Sequence, residues 1–358
     1  MIVLIYGTTA EAIKLAPIYR RLREQGIPCE QWVTLQQAST VLDALPHLGM
    51  PEPEIIITNG VKGRPLSSAF DTLRWLLSIN SWLFSNKKNL TKRLGTHSII
   101  LVHGDTMTSV VGSFIAKVLG TKIGHVEAGL RSGTWRHPFP EELDRRIVGK
   151  MADVHYAPSS AAVAALEPRP NIVFTHGNTA LDALVERTAT VASSDKPPYG
   201  LVLLHRFEFL NNSKLVTETI STLESASPLP LVIVADDHAK HVISAEVDKL
   251  NSTKITVIDK LVHQDFVQLA TNAEFVVTDS GGVQEEMGFL GTPTLIHRKA
   301  TERSDGLGRN VSLSDWSIET LTQFLTDYKQ HKYPVLELEY SPSDIIVNDL
   351  RERGYGQK

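Results

Sequence analysis

Lys122-Ile123-Gly124-His125-Val126, running straight into Glu127-Ala128-Gly129-Leu130-Arg131, is the stretch whose reading decides the fold. The first five residues read as a strand, and the next five turn off its carboxyl end carrying a carboxylate and a guanidinium. In α/β proteins ligands sit beyond the carboxyl ends of parallel strands, so charges delivered there are candidates for chemistry. Pro138-Phe139-Pro140-Glu141-Glu142 and Asp144-Arg145-Arg146 extend the same charged set.

Working outward, Ser98–Val102 reads as a strand that turns at His103-Gly104-Asp105-Thr106-Met107-Thr108 into a helix ending near Gly120. Ile2–Tyr6 is another, followed by the turn Gly7-Thr8-Thr9 and a helical pattern from Glu11 to about Gln25. Gln31–Leu35 restarts a strand after Gly26 and Pro28, and Leu66–Leu94 carries helical periodicity. This β/α alternation predicts a parallel sheet with right-handed crossovers. Three segments converge on one sheet edge: residues 7–11, 103–108 and 125–146.

The rhythm repeats with strands at Gly200–Leu204, Pro230–Val234, Ile255–Val257 and Glu274–Thr278. The fold class expected is α/β, with two Rossmann-like domains facing a central cleft, where ligands commonly bind. Glu167-Pro168-Arg169-Pro170 marks the boundary, giving domains 1–168 and 169–358. Ala192–Pro198 reads as a surface loop. The tail from about Pro342 is expected to be helical in part, then polar and prone to fray, or to pack back on the first domain.

Composition narrows the function classes. The 358 residues are 42% hydrophobic and 21% charged, as in an ordinary water-soluble globular protein. A net charge of -4 and a pI near 6.4 provide no field for drawing in nucleic acid. The locally basic Asn86–Arg93 reads as a solvated helix face. A single cysteine, Cys29, excludes an internal disulfide and a thiolate metal site. With neither a signal-like start nor a long apolar run, the expectation is a cytoplasmic protein with no membrane partner.

Asp279-Ser280-Gly281-Gly282-Val283-Gln284-Glu285-Glu286 follows a strand and opens a helix. Free N–H groups at a helix start favour a phosphate, and the glycines permit close approach; a plain strand-to-helix turn uses the same residues. Glu285 and Glu286 can accept ribose hydroxyls or merely offset the helix dipole. Thr301-Glu302-Arg303 offers a phosphate clamp or a surface salt bridge. His205-Arg206-Phe207-Glu208 supplies a group titrating near neutrality. Asp105, Glu127, Glu141 and Glu142 are carboxylates brought to one edge, where neighbours raise one another's proton affinity, although Asp105 can instead cap a helix. His97, His137 and His155 match no metal-ligand spacing, so no metal and no cofactor are expected.

Taken together, Gly7-Thr8 with Glu11–Pro17, Val102–Thr106, His125–Arg131, Pro138–Glu142, His205-Arg206, Asp279–Glu286 and Thr301–Arg303 resemble the UDP-N-acetylglucosamine 2-epimerase family in order and spacing. The resemblance implies a glycosyltransferase-B-like pair of Rossmann domains and a UDP-sugar substrate. It also implies a two-step reaction, in which C2 is deprotonated as UDP leaves C1, giving a 2-acetamidoglucal that is reprotonated from the other face. By motif, Asp105, Glu127 and Glu141 match the proton-transfer carboxylates, with Arg145 and His205 beside them. Ser280, Gly281, Gly282 and Glu286 match the UDP-binding set, joined by Arg206 and Phe266. Thr301, Glu302 and Arg303 line the sugar or diphosphate end, and Lys14 matches a lysine of the first helix. A homodimer is implied as well.

Some positions depart from that pattern. Gly-Thr-Arg-Pro-Glu reads here Gly7-Thr8-Thr9-Ala10-Glu11, which removes a cation, and His-Arg-Arg-Glu-Asn reads His205-Arg206-Phe207-Glu208-Phe209. Gln37–Val41 and Ala235–Lys240 diverge where some relatives bind a second UDP-sugar as an activator, so a hyperbolic rate curve is expected. The alternatives are a hydrolysing relative that releases free sugar and UDP, a glycosyltransferase, and a non-catalytic UDP-sugar sensor.

Overall fold

A computed structural model describes residues 1–37, 40–60, 66, 68–95, 97–131, 140–188, 197–301 and 303–356, except for the side chain of Gln264. The chain separates into two compact α/β units, Met1–Ala183 with Leu338–Lys358, and Leu184–Glu337.

The first unit is built on a seven-stranded parallel sheet: β1 (Ile2–Tyr6), β2 (Cys29–Val33), β3 (Ile55–Ile56), β4 (Ile99–His103), β5 (Lys122–Val126), β6 (Val154–Ala157) and β7 (Ile172–Phe174), in spatial order β3-β2-β1-β4-β5-β6-β7. Side chains alternate across such a sheet, and both faces are apolar because helices cover both. Ile2, Leu4 and Tyr6 of β1 therefore join one core cluster, with the helix Thr9–Glu24. Val3 and Ile5 join the other, with the helices Ala69–Leu94 and Met107–Leu119. The strand order reverses between β1 and β4. Loops leaving the carboxyl ends of these two strands diverge and open a crevice. Gly7 follows β1, Asp105 follows β4 and Glu127 follows β5, so all three segments read from the sequence end at this edge.

The expected boundary near Pro168 is displaced. Ile172–Phe174 pairs in parallel with His155–Ala157 as the edge strand of the first sheet, and the division falls between Ala183 and Leu184, inside the helix Thr179–Thr188. Pro168 and Pro170 do end a helix, but three apolar residues suffice for an edge strand. The tail is not frayed over its helix Pro342–Glu352. Ile346, Val347 and Leu350 are fully buried in the core that contains the first helix. Arg21 Nε donates to Asp344 at 2.6 Å, and Ser343 N to Asp182 at 2.7 Å.

The second unit holds a six-stranded parallel sheet: β8 (Gly200–Leu203), β9 (Leu231–Ala235), β10 (Ile255–Asp259), β11 (Phe275–Thr278), β12 (Thr294–Ile296) and β13 (Val311–Leu313), ordered β10-β9-β8-β11-β12-β13. Its reversal lies between β8 and β11. His205 and Arg206 follow the first of these, and Asp279 and Ser280 the second. Among the described residues no helix is long and apolar enough to cross a membrane.

Candidate active site

In the first unit the turn after β1 is organised by Glu11. Thr8 caps the helix Thr9–Glu24, and Glu11 completes a reciprocal capping box. Its Oε2 accepts from Gly7 N and Thr8 N, both at 3.0 Å, while Oε1 accepts from Thr106 at 2.6 Å. Glu11 thus ties the turn after β1 to the loop after β4. Burial raises its proton affinity, opposed by these hydrogen bonds. One turn further along the helix, Lys14 Nζ donates to Glu127 Oε2 at 2.8 Å.

Glu127 is buried and has φ of +62°, in the sparsely populated left-handed region of the backbone. Gly129 completes the turn at φ +87°, where a Cβ would lie 2.3 Å from the Ala162 carbonyl oxygen. Both carboxylate oxygens of Glu127 are engaged, Oε1 by Asn178 Nδ2 at 2.7 Å and Oε2 by Lys14. His103 Nε2 lies 3.4 Å from Oε2. Asp105 is ion-paired with Arg145. Its carboxyl is raised above the usual aspartate range, chiefly by burial; Arg145 and Lys14 oppose this, and Glu127 and Glu141 reinforce it. Asp105, Glu127, Glu141, Lys14 and Arg145 are therefore one electrostatic cluster. Glu142 is fully buried and holds Arg145 at 3.4 Å and Arg146 at 2.9 Å, which makes it a scaffold for the helix Glu141–Met151. His125 and His155 are each pushed down to about 4 by burial, so both are neutral near pH 7. Pro138 and Phe139 lie outside the described residues.

In the second unit Asp279 is fully buried and holds the loop after β8. Its Oδ2 accepts from the backbone N–H of His205 and of Arg206, both at 2.9 Å, and Oδ1 lies 3.0 Å from His205 Nδ1. Arg206 Nε donates to the Asp279 carbonyl at 2.9 Å. Ser280 is the N-cap of the helix Gly281–Leu290, so Gly281 and Gly282 occupy its first two positions, where N–H groups have no partner within the helix. A Cβ built on Gly282 would meet only Ser280 Oγ, at 3.9 Å. Glu286 is bonded to His263 Nε2 at 2.8 Å, and Phe266, one turn beyond His263, is buried. Thr301 donates to Gln284 at 2.6 Å, and Arg303 is paired with Glu285 at 2.7 Å, which fastens this loop to the glycine-led helix. Glu302 lies outside the described residues.

A family model described as UDP-N-acetylglucosamine 2-epimerase matches residues 88–323. The Bacillus subtilis UDP-N-acetylglucosamine 2-epimerase is 33% identical, over 92% of this chain and 88% of its own. The chain belongs to the UDP-N-acetylglucosamine 2-epimerase family. The Campylobacter jejuni member is 29% identical over 95% of this chain and 93% of its own. Solved structures of the family superpose on the fold. One is an S. aureus MnaA co-structure with UDP, at 28% identity and TM-score 0.78, covering 98% of this chain and 96% of that one. A second is the Neisseria meningitidis UDP-GlcNAc 2-epimerase bound to UDP-GlcNAc, at 26% identity and TM-score 0.79, covering 98% and 99%. The two Rossmann-like units are those of the glycosyltransferase-B-like class.

Several partners in this epimerase-family fold escaped the sequence reading. Asn178 and His103 approach Glu127, Asp279 organises His205 and Arg206, and His263 holds Glu286. Among the departures from the family pattern, Thr9 is the first residue of its helix and donates its N–H to Gln37 at 3.0 Å. Phe207 is 70% exposed, with its ring 5.5 Å from that of His238.

Proposed function

We propose that the protein inverts C2 of a UDP-N-acetylhexosamine, interconverting UDP-GlcNAc and UDP-ManNAc or analogues modified elsewhere on the sugar. The observation that carries this reading is the cluster of Asp105, Glu127 and Glu141 with Lys14 and Arg145. A pyranose C2–H is a very weak acid, so its removal must be coupled to leaving-group departure. The C2–H electron pair becomes the C1=C2 double bond as the C1–O pair leaves with UDP. The 2-acetamidoglucal then takes a proton at C2 on the opposite face while a UDP oxygen re-forms the bond to C1. Inversion needs a base on one face and an acid on the other, and three carboxylates from three loops can supply both. Glu127, with a donor on each oxygen, suits the base, and Asp105, with its raised affinity, suits the acid.

The uridine nucleotide is assigned to the second unit. The open N–H groups at Gly281 and Gly282 suit the diphosphate, with Arg206 as a nearby cation, and Glu286, oriented by His263, suits the ribose hydroxyls. His205, fixed by Asp279, is a candidate to stabilise charge as UDP departs. Relatives solved with UDP and with UDP-GlcNAc support this choice of ligand. Because a side chain at 282 meets little in the protein, Gly282→Val is expected to fold with an unchanged thermal midpoint while weakening UDP binding roughly tenfold or more, measured by calorimetry.

Chromatography of a UDP-GlcNAc incubation tests the reading. UDP-ManNAc appearing beside UDP-GlcNAc supports it, free ManNAc with UDP makes the protein a hydrolysing member, and unaltered UDP-GlcNAc despite tight binding contradicts catalysis. We also infer a homodimer. Phe70, Leu73, Leu77 and Phe84 form an exposed apolar stripe on the helix Ala69–Leu94, opposite the buried Trp75, Ile79 and Leu83. One two-fold related copy of this helix would cover the stripe. Sedimentation should give twice the chain mass, falling to the monomer in Leu77→Glu.

A further inference from the structure

Two buried carboxylate oxygens beside the cluster are unaccounted for. Glu141 Oε2 and Asp144 Oδ2 have no hydrogen-bond partner among the described residues. Asp144 is 93% buried, at 7% relative exposure, and nothing in the reaction outlined above uses it. Glu141 opens the helix Glu141–Met151 and Asp144 stands three residues on, so the two side chains share a face one turn apart. Two ionised carboxylates there would each bury an unsatisfied charge, which a proton held on Asp144 relieves.

We propose that Asp144 is a positioning residue, held as the neutral acid so that its O–H is donated to Glu141 and the two carboxyls work as a one-proton dyad. This rests on Glu141 taking part in proton transfer. The dyad fixes the orientation of Glu141 and keeps a proton within the cluster.

The surroundings agree. The Asp144 carboxyl is pushed up to about 7, first by burial and then by the negative charges of Asp105 and Glu141. Among the described residues, Arg145 pairs with Asp105 and Glu142, Arg146 with Glu142 and Lys14 with Glu127, and Arg131 interacts most strongly with Glu142. On the helix Met107–Leu119 and on β5, which pack against this helix, Lys117 and Lys122 pair with Asp153, and His125 is kept neutral by burial. Because the folded chain holds the Asp144 proton to a higher pH than the unfolded chain does, this residue's contribution to stability is lost as pH rises from the ordinary aspartate range towards about 7.

Parent protein, Asp144→Asn and Asp144→Val are compared as full chains in two measurements. In the first, denaturant unfolding is followed across that pH window. The parent should lose stability relative to Asp144→Asn as pH rises; parallel curves would overturn the proposal. In the second, kcat for UDP-GlcNAc is followed against pH. The parent should decline as the dyad loses its proton. Asp144→Asn, which keeps a donor but cannot ionise, should lose that decline, and Asp144→Val should fall roughly tenfold or more in kcat with little change in KM. Superimposable pH profiles for parent and Asp144→Asn would overturn the role even if the stability curves diverge. A parent without turnover would instead overturn the proposed reaction, and the stability curves would still decide whether Asp144 holds its proton.

Discussion

Glu127→Gln is expected to lower kcat for C2 inversion by roughly a thousandfold or more while leaving the affinity for UDP within about threefold, because general acid–base groups contribute about 10²–10⁴ and the nucleotide is assigned to other residues. The glutamine keeps size and polarity but cannot take a proton from carbon. Its amide also cannot accept from both Lys14 and Asn178, which approach the two oxygens at 2.8 and 2.7 Å, so one donor faces another donor. That mismatch costs roughly 1–3 kcal/mol of stability, which a denaturant titration would register. Steady-state turnover and calorimetry with UDP together separate a chemical role from a binding one. A variant within tenfold of the parent would remove Glu127 from the reaction.

Asp279→Ala is expected to have the largest structural effect at the nucleotide end, destabilising the protein by about 3–5 kcal/mol, as when one partner of a buried charged network is removed. Asp279 is fully buried, its Oδ2 accepts from two backbone N–H groups, and its Oδ1 lies 3.0 Å from His205 Nδ1. Without it both backbone N–H groups of the turn after β8 lose their shared acceptor. Asp279→Asn separates the two functions. Its amide oxygen can still accept the backbone donors, so most stability should return. Its other atom is now a donor facing His205 Nδ1, so the imidazole should change tautomer or move, and kcat should fall further than UDP affinity. Equal kinetics for the Asn variant and the parent would show that Asp279 serves the backbone alone.

The parts of the fold legible in sequence were those whose own residues carry the signal. The bounds that the sequence suggests for Ile2–Tyr6 and Lys122–Val126 are those observed, since an apolar run between turn signals needs no outside information. Ile55–Ile56 and Ile172–Phe174 are too short to stand out, and Val154–Ala157 is interrupted by His155, a buried imidazole that reads as polar. Missing the strand at Ile172–Phe174 moved the expected boundary and hid the fact that the loop after it delivers Asn178 to Glu127.

The candidate site divides the same way. Glu127 and Asp105 announce themselves as charges directly after apolar strands. Their partners come from distant segments, Asn178 at 51 residues' separation and Arg145 at 40, so no local pattern could name them. Arg303 shows the reverse difficulty. A guanidinium after a strand reads as a phosphate clamp, yet here it is paired with buried Glu285. Only tertiary structure brings the neutralising carboxylate alongside.

The central claim is that these carboxylates break and remake the C2–H bond. The measurement that meets it most directly is proton NMR of UDP-GlcNAc incubated with the protein in deuterium oxide. The C2 proton signal should disappear as deuterium enters, in the recovered UDP-GlcNAc and in the UDP-ManNAc formed beside it, and no such exchange should occur with Glu127→Gln. Retention of the C2 proton in UDP-GlcNAc that is demonstrably bound would contradict it.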